Sequence, residues 1–295
     1  MHRLLLHNDE IREASDLIMS PGQLGLLNGW GVFSTLRVYE GVMFEWARHF
    51  ARMQYDAAKL RVPFPENAEW MEQRLYQLIE ANHADEATLR VVIVRNGGGK
   101  WLKMWTSAAT DREFDLIAFT DGVNNWGSGG VKLGVERNAR FAANEFAGVK
   151  YLSWSQNLAM YERAHERGFD EVVLLNEREE VAECTSANLF AVHGSRVSTP
   201  PLTSGCLPGV TRALLIDGIE VPGVEVVERT LRLEDFESAD GAFMTSTTRE
   251  LLAVESIEGI RVRQGAAEIR QRLQSAFSEY VRAYVAARRP APVRL

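Results

Sequence analysis

Lys150, then Glu183-Cys184-Thr185-Ser186-Ala187-Asn188-Leu189-Phe190, then Leu207-Pro208-Gly209-Val210-Thr211-Arg212 follow one another along the chain. A lysine amine can form a Schiff base with an aldehyde. The apolar neighbours Val149, Tyr151 and Leu152 favour a desolvated, nucleophilic amine at Lys150. Glu183 sits in a strand-like run of apolar and small residues, where a carboxylate is costly unless it meets a cation. A protonated pyridine nitrogen is one such cation, and a structural arginine is another. Gly209-Val210-Thr211 opens a helix, offering free amides, the positive end of the helix dipole and a hydroxyl to a phosphate. An ordinary Pro-Gly helix start reads the same way, so the weight lies in the order of the three segments.

Around them, Val32–Tyr39 reads as a strand that turns at Glu40-Gly41 into Val42-Met43-Phe44. Ala47–Leu60 has helical spacing, with Phe50, Met53, Ala57 and Leu60 on one face, and Pro63 and Pro65 end it. Ala68–Ala81 is a second helix, and Leu89–Val94 and Leu116–Phe119 are strands. Asp121–Gly130 is rich in Gly, Asn and Ser and reads as a linker. Beyond it come strand Val131–Val135, a helix from about Ser153 to Arg167, and strands Glu171–Leu175 and Val181–Val192. The last of these would place Glu183, Thr185 and Ala187 on one face and Cys184, Ser186 and Asn188 on the other. Pro200–Pro208 reads as a loop, Val210–Ile216 begins a helix, and a final helix runs from about Ala266 to Ala287. Strands and helices mix without strict βαβ alternation. The expected fold is therefore α+β in two domains, residues 1–120 and 131–295 joined by linker 121–130.

Pyridoxal phosphate carries an aldehyde, a pyridine nitrogen and a phosphate, one for each segment. The set resembles the class IV, fold-type IV pyridoxal-phosphate enzymes: branched-chain aminotransferases, D-amino-acid aminotransferases and aminodeoxychorismate lyases. The resemblance runs from about Gly29 to Val254 and is most specific at Glu183–Phe190, Leu207–Arg212 and Thr245–Glu250. It implies a fold with the cofactor at the domain interface, and a homodimer. By resemblance Lys150 is the lysine that holds the cofactor and moves the Cα proton, and Glu183 keeps the ring nitrogen protonated. Arg52, in the pattern His49-Phe50-Ala51-Arg52, grips the phosphate together with Val210, Thr211 and Thr247. Ser246 and Thr248 lie beside it, Thr248 near the substrate.

For the substrate the resemblance is thinner. Phe33, in Gly29-Trp30-Gly31-Val32-Phe33, stands where branched-chain enzymes also have Phe and the D-amino-acid enzymes a tyrosine. Arg90 matches an arginine of the branched-chain enzymes, while Thr88 replaces their tyrosine. Ser153 stands near the place of an Asn that often follows the lysine. Asn96-Gly97-Gly98-Gly99-Lys100-Trp101 lacks the Arg-x-His carboxylate trap of the D-amino-acid type. The activity implied is transfer of an amino group between a branched-chain-like amino acid and a 2-oxo acid. The alternatives are lyase-type elimination of pyruvate and a catalytically silent cofactor-binding protein. Phe33, Trp101 and Trp105 read equally well as packing residues, and Arg37 and Arg90 as strand-edge ion pairs.

Composition narrows the classes. A formal charge of −7 over 295 residues argues against nucleic-acid and anionic-membrane partners. No apolar run is long enough to cross a bilayer, and Met1–Asp9 lacks the apolar core of a signal peptide. Two cysteines, Cys184 and Cys206, make no disulfide framework or zinc spacing. The expectation is a cytoplasmic protein without a metal.

Overall fold

The computed structural model describes all residues except 17, 20–21, 98–111, 128 and 289–295; Lys100, Trp101 and Trp105 thus lie outside the described residues. The chain divides into two compact units, each with its own mixed helix-and-sheet architecture. The first comprises Met1–Val123, Val149–Trp154 and the chain from Ala283 onward, and the second comprises Asn124–Gly148 and Ser155–Arg282.

In the first unit the strands are β1 (Leu4–His7), β2 (Glu10–Glu13), β3 (Gly31–Tyr39), β4 (Val42–Met43), β5 (Ala87–Arg95) and β6 (Phe114–Asp121). They form an antiparallel sheet in the order β2-β1-β6-β5-β3-β4. Helices α1 (Leu24–Asn28), α2 (Trp46–Leu60) and α3 (Ala68–Ala81) accompany it. The apolar stripe of α2 buries Phe50, Met53 and Ala57 in a core with Val32, Leu36 and Val38 of β3 and with Met71, Leu75 and Leu78 of α3. Period-two alternation sends Phe33 to the opposite face, where it packs with Val92, Val94 and Leu152.

The outer edge of β3 explains why a short later segment belongs to this unit. β4 pairs only with Val38 and Tyr39, leaving the N-terminal half of that edge open. Lys150–Leu152 fills it: the Phe33 N–H donates to the Lys150 carbonyl at 3.1 Å and the Leu152 N–H to the Gly31 carbonyl at 2.9 Å, with Val32 bridged to Tyr151. A β-carbon on Gly31 would clash with the Ile93 carbonyl of β5 and fall 2.6 Å from Leu152 Cδ1, so glycine suits the close backbone approach to β5 and leaves room for Leu152. A division at residues 121–130 therefore misassigns Val149–Trp154, because strand-edge hydrogen bonds outweigh sequence position. It also misassigns the end of the last helix.

The second unit holds a nine-stranded sheet. Its strands are β7 (Val131–Arg140), β8 (Glu171–Asn176), β9 (Val181–Cys184), β10 (Asn188–His193), β11 (Arg196–Thr199), β12 (Glu225–Glu228), β13 (Gly241–Ser246), β14 (Glu250–Ile257) and β15 (Ile260–Arg261). The order is β12-β11-β10-β13-β14-β7-β8-β9, with β15 hairpinned onto β14. Helices α4 (Ser155–Glu166), α5 (Val210–Ala213, continued as a π-helical turn to Gly218), α6 (Leu233–Ser238) and α7 (Ala267–Arg288) complete it; the last turns of α7 group with the first unit. Leu133, Val173, Leu189, Met244 and Val254 from neighbouring strands share one core, and Phe190 stacks on Phe243 at 4.8 Å between centroids.

One expected strand breaks. Val181–Val192 is two strands, β9 and β10, because Thr185–Ala187 turns: the Cys184 N–H bonds the Ala187 carbonyl at 2.8 Å. The hydroxyls of Thr185 and Ser186 both donate to Glu171, the latter at 2.6 Å. Face alternation thus stops at Cys184, and Thr185 and Ala187 do not continue the face of Glu183. Among the described residues no helix is long and apolar enough to cross a membrane.

Candidate functional site

In the first unit, α2 carries a polar stripe beside its apolar one. His49, Arg52 and Asp56 recur at i, i+3 and i+7, which places them on one helix face. His49 and Asp56 are fully buried. An Arg52 Nη2–H donates to Ser34 Oγ at 2.8 Å, and Ser34 Oγ lies 2.8 Å from His49 Nδ1. Arg48, four residues earlier, is exposed and pairs with Glu45 at 3.1 Å. Burial, then the charges of Arg52 and Lys150, hold the His49 imidazolium well below its ordinary range, so His49 is neutral. Burial pushes the Asp56 carboxyl up to about 6, against the opposing pull of Arg52, the Lys150 amide and the Lys150 charge.

Lys150 meets this stripe through its backbone, its N–H donating to Asp56 Oδ2 at 3.3 Å. Its amine lies 4.5 Å from the centroid of the Phe33 ring, on the other face of the sheet. The apolar neighbourhood read from residues 148–152 is therefore one side of its setting; Arg52, His49 and Asp56 supply the other. The Arg90 guanidinium lies 4.3 Å from the same ring, and Trp154 meets Phe33 edge-on at 6.4 Å. Among the described residues Arg90 has no carboxylate partner. Lys150, Phe33, Arg90 and Arg52 are thus brought together in one unit.

In the second unit, Glu183 of β9 is buried. Its Oε1 accepts from Arg140 Nε at 3.0 Å and its Oε2 from the Leu207 N–H at 2.9 Å. The carboxylate thus ties its strand to the loop that leads into α5, and two of its four lone-pair sites remain for another donor. Gly209 is the N-cap of α5 and supplies no side-chain cap; a side chain there would run into Asn188 Oδ1. The result is a bare helix start with Val210 and Thr211 buried at its first turn. Thr245 Oγ1 is buried without a hydrogen-bond partner among the described residues. After it, Ser246 ends β13 and residues 247–249, with Thr247 and Thr248 first, turn into β14, closed by the Arg249 N–H to the Ser246 carbonyl at 3.3 Å. An uncapped helix start, an orphaned hydroxyl and a cluster of further hydroxyls suit a phosphate. A carboxylate with spare acceptor sites suits a pyridine nitrogen. The residues present therefore fit pyridoxal phosphate.

Sequence reading missed the residues that support these groups. Arg140 could not be singled out among many arginines, since its pairing depends on the β7–β8–β9 register. Arg249 donates to Ser186 Oγ at 2.9 Å, lies 3.6 Å from Glu171 and covers Trp126 at 4.1 Å. Trp126 in turn donates to the Thr248 carbonyl at 3.0 Å. The segment read as a linker thus braces the hydroxyl turn. Only His49 and Asp56 left a signal, their spacing with Arg52.

A fold of this kind with these groups defines a pyridoxal-phosphate enzyme of the aminotransferase type, and comparison with known proteins agrees. The family model for class IV amino-transferases matches residues 31–257. A branched-chain-amino-acid aminotransferase of Escherichia coli is 30% identical over 264 residues, covering 84% of this chain and 83% of the relative. A D-alanine aminotransferase of Bacillus licheniformis is 24% identical over 265 residues, covering 89% and 91%. The solved structure of a branched-chain amino acid aminotransferase from Escherichia coli superposes with a TM-score of 0.83 at 26% identity, covering 94% of each chain. The chain belongs to the class IV aminotransferase family. Its activity is pyridoxal-phosphate-dependent transfer of an amino group, with an amino acid and a 2-oxo acid as substrates.

Proposed function

We propose that the amino donor is a branched-chain-like amino acid and that Phe33, Arg90 and Thr248 receive it. The observation that carries this is Arg90: a half-buried guanidinium whose contact among the described residues is the face of Phe33. Burying an arginine without a carboxylate is costly, and a substrate carboxylate would offset that cost. Phe33 offers an apolar wall beside it.

In this reading Lys150 binds the cofactor covalently and moves the substrate Cα proton at its Nζ. Its backbone, fixed along β3, sets where that nitrogen can reach. Glu183, anchored by Arg140 and the Leu207 N–H, keeps the cofactor's ring nitrogen protonated. By resemblance to the family, Arg52, Val210, Thr211, Ser246 and Thr247 are the phosphate ligands. When bound, the cofactor supplies an electron sink for the Cα–H bond pair. A homodimer in the cytoplasm accompanies this reading by resemblance to the family.

The test is spectroscopic. Leucine, isoleucine or valine added alone should convert the cofactor chromophore to the amine form, and 2-oxoglutarate should restore it. A chromophore unmoved by any L- or D-amino acid, with pyruvate released from aminodeoxychorismate, would replace the transaminase by the lyase.

A further inference from the structure

The polar stripe of α2 holds one acidic group that amino transfer leaves without a task. Asp56 is fully buried. Its Oδ2 accepts from the Lys150 N–H, and its Oδ1 has no hydrogen-bond partner among the described residues. It stands one helical turn beyond Arg52 on the same face. The charges acting on it are Arg52 from its own helix and Lys150 from the segment along β3. His49, the other titratable group of the stripe, is neutral.

A carboxylate here and an anion held by Arg52 draw on the same guanidinium and repel each other, and in a buried setting that repulsion is large. We propose that Asp56 is an internal counter-anion of Arg52, a positioning residue that couples phosphate binding at Arg52 to uptake of a proton at Asp56. This rests on the reading of Arg52 as a phosphate ligand. Without phosphate, the carboxylate balances Arg52 and fixes the Lys150 backbone. With phosphate bound, the carboxyl takes up a proton from solvent, the competing charge disappears, and the neutral group still accepts from the Lys150 N–H. The Asp56 carboxyl already sits at about 6. A nearby dianion need raise it only by roughly two further units to keep it protonated at neutral pH, well within the range of a like-charge effect.

The full chain freed of cofactor is titrated calorimetrically with inorganic phosphate at pH 5 and pH 8. Two buffers of different ionisation enthalpy count the protons, and wild type is compared with Asp56→Asn and Arg52→Ala. At pH 8 Asp56→Asn should bind phosphate roughly fiftyfold more tightly than wild type, the effect of a rise of about two units that leaves the bound-state carboxyl half-protonated at that pH, and take up fewer protons. At pH 5, where Asp56 is already neutral in wild type, the two should agree within about twofold. Equal affinities and proton counts at pH 8 would overturn the proposal, as would weaker binding by Asp56→Asn. Arg52→Ala separates the two levels. If it binds phosphate as wild type does, the phosphate reading itself falls. If it loses affinity while Asp56→Asn behaves as wild type, only the coupling falls. Asp56→Ser, smaller and also neutral, repeats the comparison if the amide disturbs local packing.

Discussion

Replacing Glu183 by glutamine separates the carboxylate's structural work from its chemical work. Glu183 accepts one hydrogen bond on each oxygen, from Arg140 and from the Leu207 N–H. Glutamine has one oxygen and one NH2 group, so whichever way the amide turns, one of those two donors faces another donor. The variant loses one charge-assisted bond, worth about 1.5–3 kcal/mol, and weakens the other toward the neutral value near 1 kcal/mol. The expected loss of stability is about 2–4 kcal/mol, read by denaturant melts at saturating cofactor. Turnover should fall further, on the order of a hundredfold to a thousandfold, about 3–4 kcal/mol of barrier, because a neutral ring nitrogen is a poorer electron sink. Arg140→Met is the control: it breaks the same ion pair but leaves the carboxylate. Its melt should resemble that of Glu183→Gln, while its single-turnover rate with an amino donor should stay much closer to wild type. If both variants lose rate in the same proportion, Glu183 is only half of a structural ion pair and the reasoning fails.

Two further outcomes test the proposed anchors. Borohydride reduction of the loaded protein followed by peptide mapping should place the pyridoxyl group on Lys150, and a label on any other lysine removes that assignment. Arg52→Ala should weaken pyridoxal phosphate binding about ten- to hundredfold, with a smaller effect on pyridoxal lacking the phosphate. Arg48→Ala should leave both affinities near wild type, since Arg48 is exposed and paired with Glu45; the reverse pattern would assign the phosphate contact to Arg48, one helical turn earlier.

What was legible in the chain was whatever depends on local periodicity. Ala47–Leu60 is observed as Trp46–Leu60 and Ala68–Ala81 as Ala68–Ala81, because apolar spacing and flanking prolines act within a few residues. The break in Val181–Val192 was not legible. No Gly or Pro marks it, and the turn is held by Glu171, fourteen and fifteen positions from the hydroxyls it accepts from. The short strands β1 and β2 escaped for a related reason: Glu10–Glu13 is exposed throughout and shows no buried face. At the candidate site the order Lys150, Glu183, Thr211 could be read, but not the edge of β3 that fixes Lys150. That edge is open only because β4 is two residues long, a fact of pairing that no local pattern carries.

Asp56 shows what such a site costs the fold. A carboxyl whose folded value is raised from 3.8 to about 6 holds its proton more tightly folded than unfolded. Stability is therefore fully present below about pH 4, falls as pH rises through about 6, and stays lower above it. The shift corresponds to about 3 kcal/mol lost by neutral pH. The neighbouring positions Met53 and Ala57 face the same core without that penalty. A neutral isostere should therefore leave the fold at least as stable at pH 8, and Asp56→Asn is expected to melt no lower than wild type there, while at pH 5 the difference shrinks. A residue that destabilises the native state at neutral pH, yet lies against the Lys150 backbone and one turn from Arg52, is placed for binding rather than for folding. A clear drop in melting temperature for Asp56→Asn at pH 8 would reverse that inference and make the carboxylate a structural acceptor for the Lys150 segment.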